Sequence, residues 1–329
     1  MSFFAVLLAL VIEQLKPLPR ENRVHEALVS WVAWTGRNFD AGREHHAWVV
    51  WGVSVLTPGA IIAALYLLLA HTNILLALAL NVAVLYLTLG FRQFSHYFTD
   101  IRDAFERGDE TEARQLLARW RHLDASELPR TELLRHVIEH ALLAAHRHVF
   151  GVFFWFVLLS AVGLGPAGAV LYRMAEFASR YWAFKSRTVG VTMNERLMAL
   201  SQHLFSKIDH VPARLTAFGF AVVGNFEEAV TAWRRDAPLW KYPNEGIILA
   251  AAAGAVGVQL GGAAAPGVTP DRSQTFADAA PNDAAESRGS TSGMPAQLGH
   301  LRSVVGLVWR SVVLWMLLLA LLSLANLVG

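Results

Sequence analysis

Two apolar runs without a single charge, residues 47–70 and 73–90, stand almost back to back in this chain. A third, residues 304–328, is interrupted only by Arg310. Each is about the length a helix needs to cross a hydrocarbon core of ~30 Å. In lipid every backbone N–H and C=O must be satisfied within the segment, which leaves helices as the natural solution for runs of this kind. Composition agrees: 54% of residues are apolar and only 16% are charged, too greasy for an ordinary soluble domain. The expected fold class is all-α: a polytopic integral membrane protein with several transmembrane or re-entrant helices and cytoplasmic helical segments. Residues 2–12 are apolar but span only roughly 17 Å as a helix. With no basic leader and no small-residue cleavage pattern, they read as a short inserted or interfacial helix retained in the mature protein. The absence of cysteine excludes disulfides, thiolate metal sites and thiol nucleophiles.

Charge placement suggests a topology. Residues 91–148 carry nine arginines, and residues 173–241 carry ten lysines and arginines. The near-absence of a loop between the first two apolar runs makes them a helical hairpin, with both flanks on one side. Their basic content assigns that side to the cytoplasm. Residues 149–171 contain Gly163, Gly165, Pro166 and Gly168, which break a helix. A tight hairpin there returns the chain to the same side. The spelling GLGPAG fits G-x-G-x-x-G, but no strand precedes it and proline occupies the turn, so it reads as a breaker and not a dinucleotide site. Near-neutral net charge and the lack of a basic run exclude nucleic acid as a partner. The bilayer is the expected partner, and nothing in the sequence sets an oligomeric state.

Five regions follow: N-terminal membrane helices over residues 1–93, a cytoplasmic helical hairpin over 94–148, and a broken membrane element, cytoplasmic segment and small-residue helix over 149–260. A flexible linker rich in Ala, Gly, Pro, Ser and Asp covers 261–298, before a C-terminal transmembrane helix over 299–329. In the hairpin Gly108 breaks the pattern, Asp109 caps, and Glu112 stands three residues on, as in a capping box.

The chemistry concentrates in HVIEHALLAAHRHVFGVFFW, residues 136–155. His136, Glu139 and His140 spell H-x-x-E-H, in which two histidines on one helix face can hold zinc while the glutamate acts as base. No third ligand is evident, since Glu227 and Glu228 are adjacent and point apart. A polar helix face with interfacial histidines is the plainer reading, and no metal is expected. VPARLTA at residues 211–217 suits a membrane-surface helix. Residues 242–262, YPNEGIILAAAAGAVGVQLGG, pass from a polar turn into small residues that let backbones approach closely.

These motifs resemble, in order, those of the CobD/CbiB membrane protein superfamily. The likeness covers LYLTLGFR (85–92), GDETEAR (108–114), the helix of Glu139, FFW (153–155), GPAGAVLYRM (165–174), Phe184–Lys185, VPARLTA, the PNEG turn (243–246) and GAVGVQLGG (254–262). The resemblance implies an adenosylcobinamide-phosphate synthase of cobalamin biosynthesis, joining an aminopropanol phosphate to a corrinoid carboxylate with ATP and magnesium. The chain departs from that pattern after Glu139. Where synthases carry an acidic run like ENTSDG, Leu143, Ala144, Ala145, His146, Arg147 and His148 stand here, and an acidic pair falls on Phe205 and Ser206. AmpE-type inner-membrane proteins, linked to β-lactamase induction and cell-wall recycling, lack the same run.

The expectation drawn from these departures is a divergent member close to the AmpE branch. It would be a non-catalytic or altered ligand-binding and signalling protein related to cell-wall or β-lactamase regulation, without a cofactor. Glu139, Arg147, Lys185, Arg214, Asn244 and Glu245 would contact an amphiphilic or corrinoid-like ligand. The alternative is the ATP-dependent amide ligase with ATP and Mg2+, substitute carboxylates coming from Glu139 with Glu13 or Glu245. A minor alternative is a membrane zinc metallopeptidase using His136, Glu139 and His140.

Overall fold

The computed structural model describes residues 2–16, 23–40, 42–121, 125–126, 128–187, 194–262 and 289–328. The helices, in order, are α1 (Ser2–Leu15), α2 (Arg23–Phe39), α3 (Glu44–Thr72), α4 (Ile74–Thr88), α5 (Phe91–Arg107), α6 (Glu110–Arg121) and α7 (Arg130–Ala145). A π-helical turn, His146–Phe150, leads into α8 (Gly151–Ala161), followed by α9 (Ala167–Arg187), α10 (Glu195–Ile208), α11 (His210–Val223), α12 (Phe226–Asp236), α13 (Pro243–Val256) and α14 (Leu298–Val328). Among the described residues β-structure is confined to two isolated bridges, Val258 with Met294 and Gly261 with Ser290. The chain is an all-α membrane protein. Three helical stretches, His45–Thr72, Arg130–Ala161 and Leu298–Ala325, are long and apolar enough to cross a bilayer. Their outer faces carry large apolar side chains in the open, such as Ile61, Leu68, Val313 and Leu317, as lipid-facing surfaces require and water disfavours.

Packing divides the chain into two units. The first comprises Met1–Arg92, Arg147–Asp209 and Leu319–Gly329; the second comprises Gln93–His146 and His210–Leu318.

In the first unit α3 and α4 form the expected hairpin. Asn73 alone separates them, and its side chain accepts from the Leu75 amide at 2.8 Å, capping α4. The α9 helix is the centre of this unit, with α3, α4, α8 and α10 packed on it. Between α8 and α9 the chain turns at the glycine–proline cluster: Leu164 N donates to Leu159 O at 2.9 Å, and Gly163 and Gly165 take φ of 81° and 58°. These left-handed values favour glycine. Gly168 then lies against the Trp155 carbonyl, where a Cβ would overlap it. The two helices therefore meet backbone to backbone.

In the second unit α13 is surrounded by α7, α11 and α12. Pro243 opens it at a first-turn position and Gly257 closes it with φ 73°. Ala250, Ala251, Ala252 and Ala253 are fully buried, and a Cβ on Gly254 would stand 2.7 Å from Glu228 C and 2.8 Å from Ala229 Cα of α12. The small residues thus serve close helix packing. In the α5–α6 corner Asp109 caps as expected, accepting from Glu112 N at 2.8 Å, but the Glu112 carboxylate turns to Arg107 at 2.5 Å. The middle of the expected linker, residues 263–288, lies outside the described residues. Its described ends are tied together: Gly262 N donates to Gly289 O, and Thr291 N to Leu260 O, both at 2.8 Å.

Candidate functional site

The second unit gathers Glu139, Arg214, Asn244 and Glu245, carried by α7, α11 and the first turn of α13. Glu139 is fully buried. Its Oε1 accepts from Gly261 N at 2.7 Å, and Arg135, one turn earlier, donates to the Gly261 carbonyl. The same guanidinium pairs with Glu132 and stands 3.7 Å from Glu139 Oε1. One residue of the segment after α13 is thereby held by α7 through both its N–H and its carbonyl. The second oxygen, Glu139 Oε2, finds no hydrogen-bond partner among the described residues, and His136 Nδ1 is 3.7 Å from it.

Trp240 joins this contact to the start of α13. Its side chain lies against Gly246 in the first turn, and also against Gly261 and Gly289. On that first turn Asn244 and Glu245 are buried. Arg214 donates to the His210 carbonyl at 2.8 Å and reaches Asn244 Oδ1 at 3.5 Å. A guanidinium, an amide and a helix N-terminus thus stand together, a donor set suited to phosphate or carboxylate oxygens, while the Glu245 carboxylate on the same turn is an acceptor only.

The histidines divide their roles. His146 Nδ1 lies 2.9 Å from Thr216 Oγ1 on α11. His140 packs edge-on against Trp120, with ring centroids 4.5 Å apart. Among the described residues no group of three or more His, Asp and Glu side chains is placed to hold a metal ion, so the zinc alternative finds no third ligand there.

Arg147 and Lys185 belong to the first unit. Lys185 Nζ sits over the Tyr181 ring at 5.9 Å. Arg147, on the π-helical turn, is buried near Tyr172, Arg173 and Glu176 of α9. Glu176 lies between Arg173 (3.2 Å) and Arg180 (3.4 Å). Burial alone would raise its carboxyl; Arg180 and Arg173, helped by His148 and Arg147, outweigh burial and bring it down to about 2. A depressed carboxyl stabilises the fold fully above its unfolded value, and that stability is lost as pH falls through the folded value. The melting temperature of the detergent-solubilised chain should therefore drop between about pH 4.5 and about 2, and Glu176→Gln should flatten that drop; an unchanged slope in the variant would refute the assignment.

Arg135, Glu176, Arg180 and Trp240 were not among the expected residues. Helical spacing could have flagged the first three, since Arg135–Glu139 and Glu176–Arg180 are i,i+4 pairs and Arg173–Glu176 is i,i+3. No local signal points to Trp240.

Comparison with known proteins gives the family. The model of the family described as CobD/Cbib protein matches residues 2–290. A protein of Stutzerimonas stutzeri named cobalamin biosynthesis protein CobD is 32% identical over 285 residues, covering 86% of this chain and 84% of that protein. Its namesake in Chromobacterium violaceum is 35% identical over 193 residues, 58% of each chain, and one in Leptospira interrogans is 26% identical over 188 residues, 56% of each. No solved structure matches. These relatives overturn the expectation of a non-catalytic protein tied to cell-wall or β-lactamase regulation, because the proteins it is similar to carry a biosynthetic name. The missing acidic run is local, whereas the family match extends over residues 2–290. By the extent of the family match, this chain belongs to the CobD/CbiB family.

Proposed function

We propose that this protein acts in cobalamin biosynthesis as an ATP-dependent amide ligase, an adenosylcobinamide-phosphate synthase, in the bacterial inner membrane, which it crosses several times. The observation that carries the reading is 32% identity over most of both chains to a protein named cobalamin biosynthesis protein CobD. The geometry of the second unit supports it. Arg214 and the first turn of α13 supply donors for phosphate oxygens, and buried Glu245 stands beside them. Mg2+ in ATP-dependent enzymes usually takes one or two carboxylates and completes its shell with water and phosphate. Glu245 fits that modest requirement, so the proposed cofactors are ATP and Mg2+. When bound, ATP supplies the driving force for removing water between an amine and a carboxylic acid. Arg214 orients anionic oxygen, Asn244 steadies the guanidinium, and Glu139 with Arg135 fixes the Gly261 peptide that walls the region. The bilayer and an amphiphilic corrinoid-like substrate are the proposed partners.

The test is complementation. A synthase-deficient bacterium that must make cobalamin from cobyric acid is expected to grow when it expresses this chain. Arg214→Ala should slow growth at limiting precursor, consistent with roughly a tenfold loss in transition-state stabilisation. No growth above the empty vector by a well-inserted protein would reject the ligase reading.

A further inference from the structure

One face of α11 is apolar and open. Val211, Phe218 and Val222 stand exposed, with half-covered Leu215 between the first two. Their spacing sets them in one stripe along the helix. Phe226, the first residue of α12, is exposed as well and meets Phe218 edge-on, with ring centroids 6.4 Å apart. The stripe therefore continues past the corner that joins the two helices.

The opposite face of α11 is apolar too. Ala213, Ala217, Phe220 and Ala221 are buried there, and α13 and α12 pack on the helix. From Leu215 to Val223 the helix holds no ionisable side chain. A surface helix in water turns a polar face outward, whereas one that is apolar all round belongs in a protein core or a membrane. With Phe218 50% exposed, α11 is not in a core. Charge is kept to its two ends. Arg214 turns back toward the helix start, donating to the His210 carbonyl and reaching Asn244, as a long cationic side chain does at the edge of an apolar phase. Past the other end Glu227 and Glu228 stand exposed on α12.

The surroundings of α14 say what lies over the stripe. Gly219 and Gly224 stand beside that helix: a Cβ on each would lie 3.5 Å from Trp315 Nε1 and 3.1 Å from Leu307 Cδ1. The α14 stretch is long and apolar enough to cross a bilayer, and Val313 and Leu317 are exposed on it. A helix resting against it, with an outer face of the same chemistry, shares the same solvent. At 14 residues, α11 is about 21 Å long, too short to cross a core of ~30 Å by itself.

We infer that α11 is a membrane-embedded, non-spanning helix whose stripe of Val211, Leu215, Phe218 and Val222, continued by Phe226, is covered by lipid acyl chains beside α14. It enters the hydrocarbon without crossing it, and it sets Arg214 and the first turn of α13 at the edge of the bilayer. This placement stands on the helix faces and not on the ligase reading.

The chain contains no cysteine, so single ones can be introduced without disturbing a native thiol. Full-length chains carrying Phe218→Cys, Val222→Cys, Val313→Cys or Glu227→Cys are labelled with a nitroxide and reconstituted singly in phosphatidylcholine nanodiscs. Power-saturation EPR then compares collisions with oxygen, which concentrates among acyl chains, and with a neutral nickel chelate, which stays in water. Labels at Phe218→Cys and Val222→Cys are expected to favour oxygen as Val313→Cys does, with an oxygen-to-nickel ratio several-fold above that of Glu227→Cys. Either stripe position decides the matter if the other variant fails to insert. A preference for nickel at the stripe overturns the placement. So does a label that neither reagent reaches, because protein would then cover the face. Oxygen preference at Val313→Cys without it at the stripe leaves the bilayer crossing of α14 standing and removes α11 from the lipid.

Discussion

Gly168→Ala is expected to leave little folded protein. The added methyl would overlap the carbonyl of Trp155, and its further neighbour, Leu159 Cβ, is 3.2 Å away. Overpacking usually costs 1–3 kcal/mol because side chains can turn aside. Here the obstacle is helix backbone, which has no rotamer to change, so the cost should reach about 3 kcal/mol or more. Relief would require α8 and α9 to separate, and α9 is the helix on which the first unit is assembled. Gly52→Ala in α3 is the matched control: nothing lies within 4 Å of its added methyl, and removing a helix-interior glycine should raise stability by up to about 1 kcal/mol. Thermal unfolding in detergent, with the monodisperse fraction on size exclusion, compares them. Equal melting temperatures for the two variants would refute the backbone contact.

Glu139→Ala is the second large effect. It strips the acceptor from a buried amide and removes one carboxylate from a guanidinium whose side chain is 7% exposed. Breaking a buried pair from one side costs about 3–5 kcal/mol; Arg135 keeps Glu132, which places the expected loss near 3 kcal/mol. Glu139→Gln retains an oxygen for Gly261 N–H and should lose distinctly less. Both are read by thermal unfolding and by protease cleavage near residues 257–262. Because Glu139 is assigned to holding the Gly261 peptide, Glu139→Gln should also keep most growth in the complementation assay. A stable Gln variant that supports no growth would move Glu139 into the chemistry.

What could be read from the sequence was local. The Asn73 hairpin, the Asp109 cap and the break at Gly163–Gly168 each follow from a few neighbouring residues, because turn and cap chemistry acts over one helical turn. The family likeness was legible too, through ordered motifs. The partner of Glu139 was not: Gly261 is 122 positions away, and no periodicity announces such a pairing. The H-x-x-E-H spacing left a zinc face open as a minor alternative, but it could not show that His140 packs on Trp120 or that the nearby His146 meets Thr216. The small residues of 242–262 announced a close approach of backbones, but not that α12 is the helix that Gly254 meets. The Arg173–Glu176–Arg180 set is written in helical spacing, i,i+3 and i,i+4, although spacing alone does not show that the set is buried.

The hydrogen bonds joining Gly262 to Gly289 and Leu260 to Thr291 have an evolutionary consequence. They make the junction between α13 and α14 independent of how much chain runs from one glycine to the other. Doubling the length of such an excursion adds only about 0.6 kcal/mol of closure entropy. Insertions and deletions at residues 263–288 should therefore be the cheapest length changes available to this family, leaving the grip of Arg135 and Glu139 on Gly261 untouched.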